Sequence, residues 1–186
     1  MIGITGGIGS GKSRIARELA RRGFIIYDCD REAKRIICED PAVRAAIIAL
    51  LGNEAFDGEQ YNTPYVAKRV FAEPKIREQI NAIVHPAVRQ DIIARQPDFV
   101  ESAILYEAGL DELCAKVIVV DAPEDIRIER TIGRDYNDEM TPENISKVRA
   151  RMRAQKPHSG DWTIWNDGQT PTPEIVDKII DWMWKN

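Results

Sequence analysis

The chain has 186 residues, 44% of them apolar and 30% charged, with 26 basic against 30 acidic side chains and a formal net charge of −4. That length supports one compact core with helical insertions and falls short of two full domains. No apolar run approaches the ~20 residues that span a bilayer, so no membrane partner is expected, and the acidic balance argues against a nucleic-acid surface built on phosphate neutralisation. Residues 1–5, Met-Ile-Gly-Ile-Thr, are too few for a helix and predict a buried strand that runs straight into glycines. They have the character of neither the n-region nor the h-region of a secretory signal, so export is not expected. Cys29, Cys38 and Cys114 are odd in number and lack C-x-x-C spacing, so neither a disulfide framework nor a zinc site is expected, and a reducing cytoplasm is the expected location.

Ile15, Ala16, Leu19 and Ala20 recur at helical spacing over residues 13–23, and Gly23 ends that helix. The apolar run 24–27 predicts a second strand buried on both faces. A crossover of this length predicts that the two strands lie side by side in a right-handed βαβ unit. Residues 31–96 change character, with helical patterns over 32–37, 41–51, 63–71 and 74–94 that predict a helical insertion. β-branched segments at 99–105 and 116–120 predict a return to interior strands, followed by a helix over 123–133. A polar, basic helical pair is expected over 135–156, with Thr141-Pro142-Glu143 as a cap with proline in the first turn. A short strand at 163–165, the turn Asn166-Asp167-Gly168 and a helix over 173–185 complete the chain. Trp162, Trp165, Trp182 and Trp184 are expected to pack rather than to serve as stacking platforms.

Gly6 to Ser13 reads G-x-x-x-x-G-K-[ST] in full, between a predicted strand and a helix N-terminus. Backbone N–H groups over Gly7, Ile8, Gly9, Ser10 and Gly11, together with the helix dipole, suit phosphate oxygens. Lys12 reaches the β- and γ-phosphates and Ser13 supplies a magnesium ligand. A dinucleotide loop is disfavoured, because Lys12 stands where the third glycine of G-x-G-x-x-G belongs when counting from Gly7 and Gly9. The expected fold class is therefore α/β: a P-loop NTPase-type parallel sheet flanked by helices, with a helical substrate-binding insertion and a helical lid. ATP and Mg2+ are the expected cofactors.

Asp28 and Asp30 are read as ending the second strand, where a spacing of two points both carboxylates to one side at the sheet's carboxyl edge. Asp30 is the first choice for the base that takes the proton of an attacking hydroxyl. The alternative is that Asp30 caps the helix beginning at Arg31. Arg127, Arg130 and Arg134 recur at helical spacing, and Arg149, Arg151 and Arg153 follow; both sets offer mobile cations for a triphosphate, against the plainer reading of a solvated basic face. His85-Pro86 with Arg89 suits an anionic or hydroxyl-bearing substrate, or else a structural cap. Glu107 follows the strand expected at 99–105 and is read either as a site carboxylate or as a helix-start acid.

Taken together, Thr5 to Ser13, Asp28-Cys29-Asp30, His85-Pro86 with Arg89, Leu105-Tyr106-Glu107 with Gly109-Leu110, and Val119 to Pro123 resemble dephospho-CoA kinase in order and spacing. Arg130, Arg134, Gln155 and Asn166-Asp167-Gly168 extend the likeness to nearly the whole chain. Arg14 stands where that family usually has Thr, Ala103 where it usually has Pro, and Tyr61 to Pro64 replaces a more charged segment. The resemblance implies transfer of the ATP γ-phosphate to the ribose 3′-hydroxyl of dephospho-CoA, with Lys12, Asp30, Asp28, Arg130 and Arg134 as the catalytic set. It also implies ATP held by Gly7 to Arg14 and Asn166, and substrate held by Asp30, His85, Arg89 and Glu107. The implied division is a core of 1–30, 97–133 and 161–186, an acceptor region at 31–96 and a lid at 134–160, in a monomer or small homo-oligomer. Another small-molecule or nucleotide kinase is the alternative, and a nucleotide-controlled binding switch is the alternative from another class.

Overall fold

The computed structural model describes residues 1–156 and 158–185. The chain runs β1 (Ile2–Gly6), α1 (Lys12–Arg21), β2 (Ile26–Asp28), α2 (Cys29–Glu39), α3 (Pro41–Leu51), β3 (Phe56–Asp57), β4 (Gln60–Tyr61), α4 (Thr63–Ala72), α5 (Lys75–Arg95), β5 (Phe99–Glu101), β6 (Lys116–Asp121), α6 (Glu124–Asp135), α7 (Pro142–Arg153), β7 (Trp162–Trp165) and α8 (Thr172–Lys185). Five strands form one sheet in the order β2-β5-β1-β6-β7, and β3 pairs with β4 in a separate small hairpin. β1 runs parallel to β5, with Ile2 opposite Phe99, and to β6, with Ile2 opposite Lys116. β6 and β7 are parallel as well, Ile118 facing Trp162.

Two sequence expectations give way here. β1 and β2 are not neighbours, because β5 takes the place between them. The reason lies in burial: all three residues of β5 are buried, whereas β2 is an edge strand that begins only at Ile26, and Ile25 before it is 60% exposed. β5 also ends at Glu101 rather than running to residue 105. After Ser102 donates its N–H to the Ile4 carbonyl, residues 103–109 turn instead, because β1 pairs beyond this point only with β6.

Ile15 and Leu19 of α1 and Ile175, Val176 and Ile179 of α8 pack on Ile4, Phe99, Ile118, Val120 and Ile164 of the sheet. Each such side chain removed from water contributes roughly 1.5–3 kcal/mol, so this face anchors the strand and helix on either side of the glycine loop. Trp162 packs against Trp182 with ring centroids 5.5 Å apart. Trp165 and Trp184 do not follow the packing expectation, being 56% and 79% exposed. A second patch joins α6 to α7 through Ile128, Ile132 and the fully buried Val148, with Tyr136, Ile145 and Met152 around it. Thr141 caps α7 by accepting the Asn144 N–H, with Pro142 first in the helix.

The chain divides into two compact units, one of Met1–Tyr27 with the described part of Pro97–Asn186, the other of Asp28–Gln96. Within the second, Asp28 accepts the Arg31 N–H at 3.0 Å and so caps α2. Asp40 and Asn62 cap α3 and α4 in the same way, and α5 continues through Pro86. Ile36, Val43, Ile47, Val66, Val84, Val88 and Ile92 are buried along these helices. The carboxylate of Glu32 is buried with them and meets Arg35 at 2.7 Å, Arg31 at 3.0 Å and Arg95 at 3.2 Å. Burial pushes this carboxyl up, but the hydrogen bonds from Arg35 and Arg31 outweigh it and hold Glu32 below the usual range.

Candidate active site

β1 hands over to α1 through a loop whose turns only glycine supplies cheaply. Gly9 has φ +76, and a Cβ there would collide with the Arg127 carbonyl and crowd the Thr131 hydroxyl. Gly11 caps α1 in the left-handed region, and no acidic side chain lies in the first turn. The amide dipoles at this terminus are thus left to attract an external anion. The loop is held from outside by side chains. Arg127 donates Nε–H to the Ile8 carbonyl at 2.9 Å and pairs with Asp121 at 3.4 Å. Arg130 donates to the carbonyls of Ser10 at 3.3 Å and Asn166 at 3.1 Å, and the Asn166 amide donates to Ser10 at 2.8 Å. Ser10 is wholly buried, and its hydroxyl has no hydrogen-bond partner among the described residues. Burial, and next the neighbouring charge of Arg14, press the Arg130 guanidinium below its usual range. This corner is therefore electropositive in a way that a bound triphosphate relieves.

Ser13 donates its hydroxyl to Glu101 at 3.1 Å. Glu101 is the last residue of β5 and only 7% exposed. Sequence reasoning passed over it, although a lone acid inside the apolar run 99–105 was the available signal. A hydroxyl beside a buried carboxylate is a hard-oxygen donor set of the kind magnesium takes, with phosphates and water completing its shell. Among the described residues no three His, Cys, Asp or Glu side chains form a metal cage.

Arg134, Arg149 and Arg151 each meet an acidic partner. Arg134 pairs with Asp135 at 2.7 Å, Arg151 reaches the same carboxylate at 2.6 Å, and Arg149 meets Glu124 at 3.0 Å. Arg153 is exposed at the end of α7. Hydrogen bonding, first from Arg134 and then from Arg151, holds Asp135 at about 2 against the opposing effect of burial. α6 and α7 are thus tied by charge as well as by their apolar patch.

Beside the loop lies a cleft of about 280 Å3 lined by Gly7, Val119, Val120, Asp121, Arg127, Met152, Gln155, Lys156 and His158. Gln155 accepts the Ile8 N–H at 2.7 Å, and His158 Nδ1 lies 3.3 Å from the Thr5 hydroxyl. Burial chiefly lowers the His158 pKa; Glu107 and Asp121 act against this, while Lys12 and Arg127 reinforce it. Lys12 and Glu107 both exert their charge on this ring, Glu107 from an exposed position in the turn 103–109.

The remaining sequence candidates belong to the unit 28–96. Asp30 is exposed and lies in the first turn of α2, not on β2. Because Asp28 takes the cap, the chain becomes helical at Cys29, and the same-side geometry expected of strand residues two apart does not hold. The capping role considered for Asp30 is filled by Asp28. His85 sits mid-helix in α5 rather than at a cap, one turn before Arg89, and both are half-buried. Burial lowers the His85 pKa.

A family model for dephospho-CoA kinase matches residues 1–172. A dephospho-CoA kinase of Porphyromonas gingivalis is 36% identical over 185 residues, covering 96% of this chain and 90% of the relative. A crystal structure from Thermus thermophilus superposes with a TM-score of 0.79 at 28% identity, covering 98% of this chain and 96% of that one. The structure of a dephospho-CoA kinase from Campylobacter jejuni shares the fold, with a TM-score of 0.70 at 21% identity over 99% of this chain and 96% of that one.

Proposed function

The chain belongs to the dephospho-CoA kinase family, and we propose that, as an ATP-dependent phosphotransferase, it transfers the γ-phosphate to the ribose 3′-hydroxyl of dephospho-CoA, the last step of coenzyme A synthesis. The observation that carries this reading is the complete loop from Gly6 to Ser13 between β1 and α1, with Ser13 bonded to the buried Glu101. Loop amides and Lys12 take up the phosphates, while Arg130 and Asn166 keep the loop in shape from behind. Ser13 and Glu101 are the groups that would hold magnesium, directly or through water. Magnesium, when bound, supplies neutralisation of the phosphate oxygens. Arg134 adds charge stabilisation from α6.

Asp30 is the base in this reading, taking the proton of the 3′-hydroxyl, and Asp28 fixes the start of the helix that carries it. His85, Arg89 and Glu107 contact the acceptor; residues 31–96 form the acceptor region and 134–160 the lid. Cys29, Cys38 and Cys114 form no disulfide among the described residues, which suits a reducing cytoplasm. No helix among the described residues is long and apolar enough to cross a membrane. Transfer is direct and in line, because positioning and charge stabilisation suffice for phosphoryl transfer without a covalent intermediate.

A coupled assay for ADP release tests the proposal. Turnover is expected to depend strictly on dephospho-CoA, and Lys12→Ala or Asp30→Asn is expected to lower kcat about a hundredfold or more. Equal ADP release without the acceptor, or with shikimate or a nucleoside monophosphate in its place, refutes the assignment.

A further inference from the structure

One amide of the phosphate loop is already satisfied by the protein itself. The Ile8 N–H donates to the side-chain oxygen of Gln155 at 2.7 Å, while the Ile8 carbonyl is held from the other side by Arg127 at 2.9 Å. Gln155 follows directly on the end of α7, its own N–H bonded to the Met152 carbonyl at 3.2 Å. Farther along, His158 meets Thr5 at 3.3 Å and the Ser159 carbonyl accepts a hydrogen bond from the Tyr106 hydroxyl. Gln155 and His158, beyond the end of α7, are therefore both fastened to the β1–loop junction. An amide carries one proton, so it cannot serve Gln155 and a phosphate oxygen at full strength together.

We propose that Gln155 sets the nucleotide affinity of this site by occupying the Ile8 amide in place of a phosphate oxygen, and that MgATP or MgADP expels it and frees the end of α7 from the loop. The inference rests on reading the loop as the nucleotide site. An ionised phosphate oxygen displaces a neutral amide oxygen because charge-assisted hydrogen bonds are roughly twice as strong as neutral ones. The exchange still forfeits the Gln155 bond, so apparent affinity is the intrinsic affinity multiplied by the fraction of molecules in the unlatched state. Gln155 thus opposes binding in the resting protein, whereas a residue that grips phosphate would favour it.

The test is calorimetric titration of the full chain with MgADP. Gln155→Ala is expected to bind about two- to tenfold more tightly than the parent, the range that one neutral hydrogen bond accounts for. Gln155→Glu is expected to bind more weakly than the parent, since a carboxylate is a stronger acceptor for the Ile8 N–H and repels the phosphates. Unchanged or weaker binding by Gln155→Ala overturns the proposal. If the parent itself takes up no MgADP, the reading of the loop fails and this inference falls with it. Should the variants prove poorly folded by circular dichroism, hydrogen exchange on the parent decides. MgADP is then expected to slow exchange over residues 6–13 and to speed it over 151–156, and slowing of both segments together overturns the proposal.

Discussion

Replacing Gly9 by alanine tests whether the loop is shaped by its contact with α6. Gly9 combines φ +76 with a backbone neighbour, the Arg127 carbonyl, where a Cβ would sit. The left-handed conformation costs an L-residue about 1–2 kcal/mol, and an added methyl pressed against fixed atoms costs about 1–3 kcal/mol more. Alanine returns ~0.4–1 kcal/mol by restricting the unfolded chain, which leaves a net loss of about 1–4.5 kcal/mol. For a chain of this size each kcal/mol lowers Tm by about 2–4 °C, so Gly9→Ala is expected to melt roughly 2–18 °C below the parent and to lose MgATP affinity. Gly23→Ala is the control, because Gly23 has φ +95 but nothing within 4 Å of a new Cβ. It carries the conformational cost less the same unfolded-chain return, a drop of about 0–6 °C, with KM for ATP unchanged. Differential scanning calorimetry and the coupled assay on both variants decide the matter. Equal melting of the two, with both KM values unaltered, refutes the argument that α6 packs against the loop at this glycine.

Glu101→Gln keeps the side-chain volume and an acceptor for Ser13 but removes the charge beside it; the magnesium concentration for half-maximal rate is expected to rise about tenfold with Tm nearly unchanged. An unaltered magnesium titration removes Glu101 from the metal-holding role. Asp135 is held at about 2 by Arg134 and Arg151. A depressed carboxyl stabilises the fold above the ordinary range near 3.9, and that stability is lost as pH falls toward 2. Arg151→Leu is therefore expected to raise the Asp135 titration midpoint, followed by carboxyl NMR, and to shift acid loosening of α7 to higher pH. A midpoint that stays at the parent's value contradicts the ion pair.

The nucleotide loop was legible in the sequence because its determinants are local: glycines that fix the turns, Lys12 and Ser13 at the helix start, and apolar runs on either side. Helix ends were legible where a capping side chain and proline coincide, as at Thr141-Pro142. Strand order was not, since the place beside β1 is taken by β5, which lies beyond residues 28–96 and wins it through fuller burial. Asp30 was misplaced because a spacing of two fits a strand end and a helix start equally well, and the capping preference of Asp28 decided for the helix. Arg149 and Arg151 carried no mark of their acidic partners on α6. Gln155 was marked only by the family likeness, and its bond to the loop was not legible, because its partner Ile8 lies 147 positions away.

The displacement of β2 from β1 bears on how the protein is made. Both flanks of β1 are supplied late, by Phe99 and its neighbours and by Lys116 onward, so a growing chain on the ribosome exposes an apolar strand and a glycine loop with nothing to zip against. Contacts of such long sequence separation close slowly and leave early segments prone to aggregate. Fragments ending before residue 121 are thus expected to lack an assembled loop, and chaperone dependence during synthesis is expected to ease once β6 has emerged.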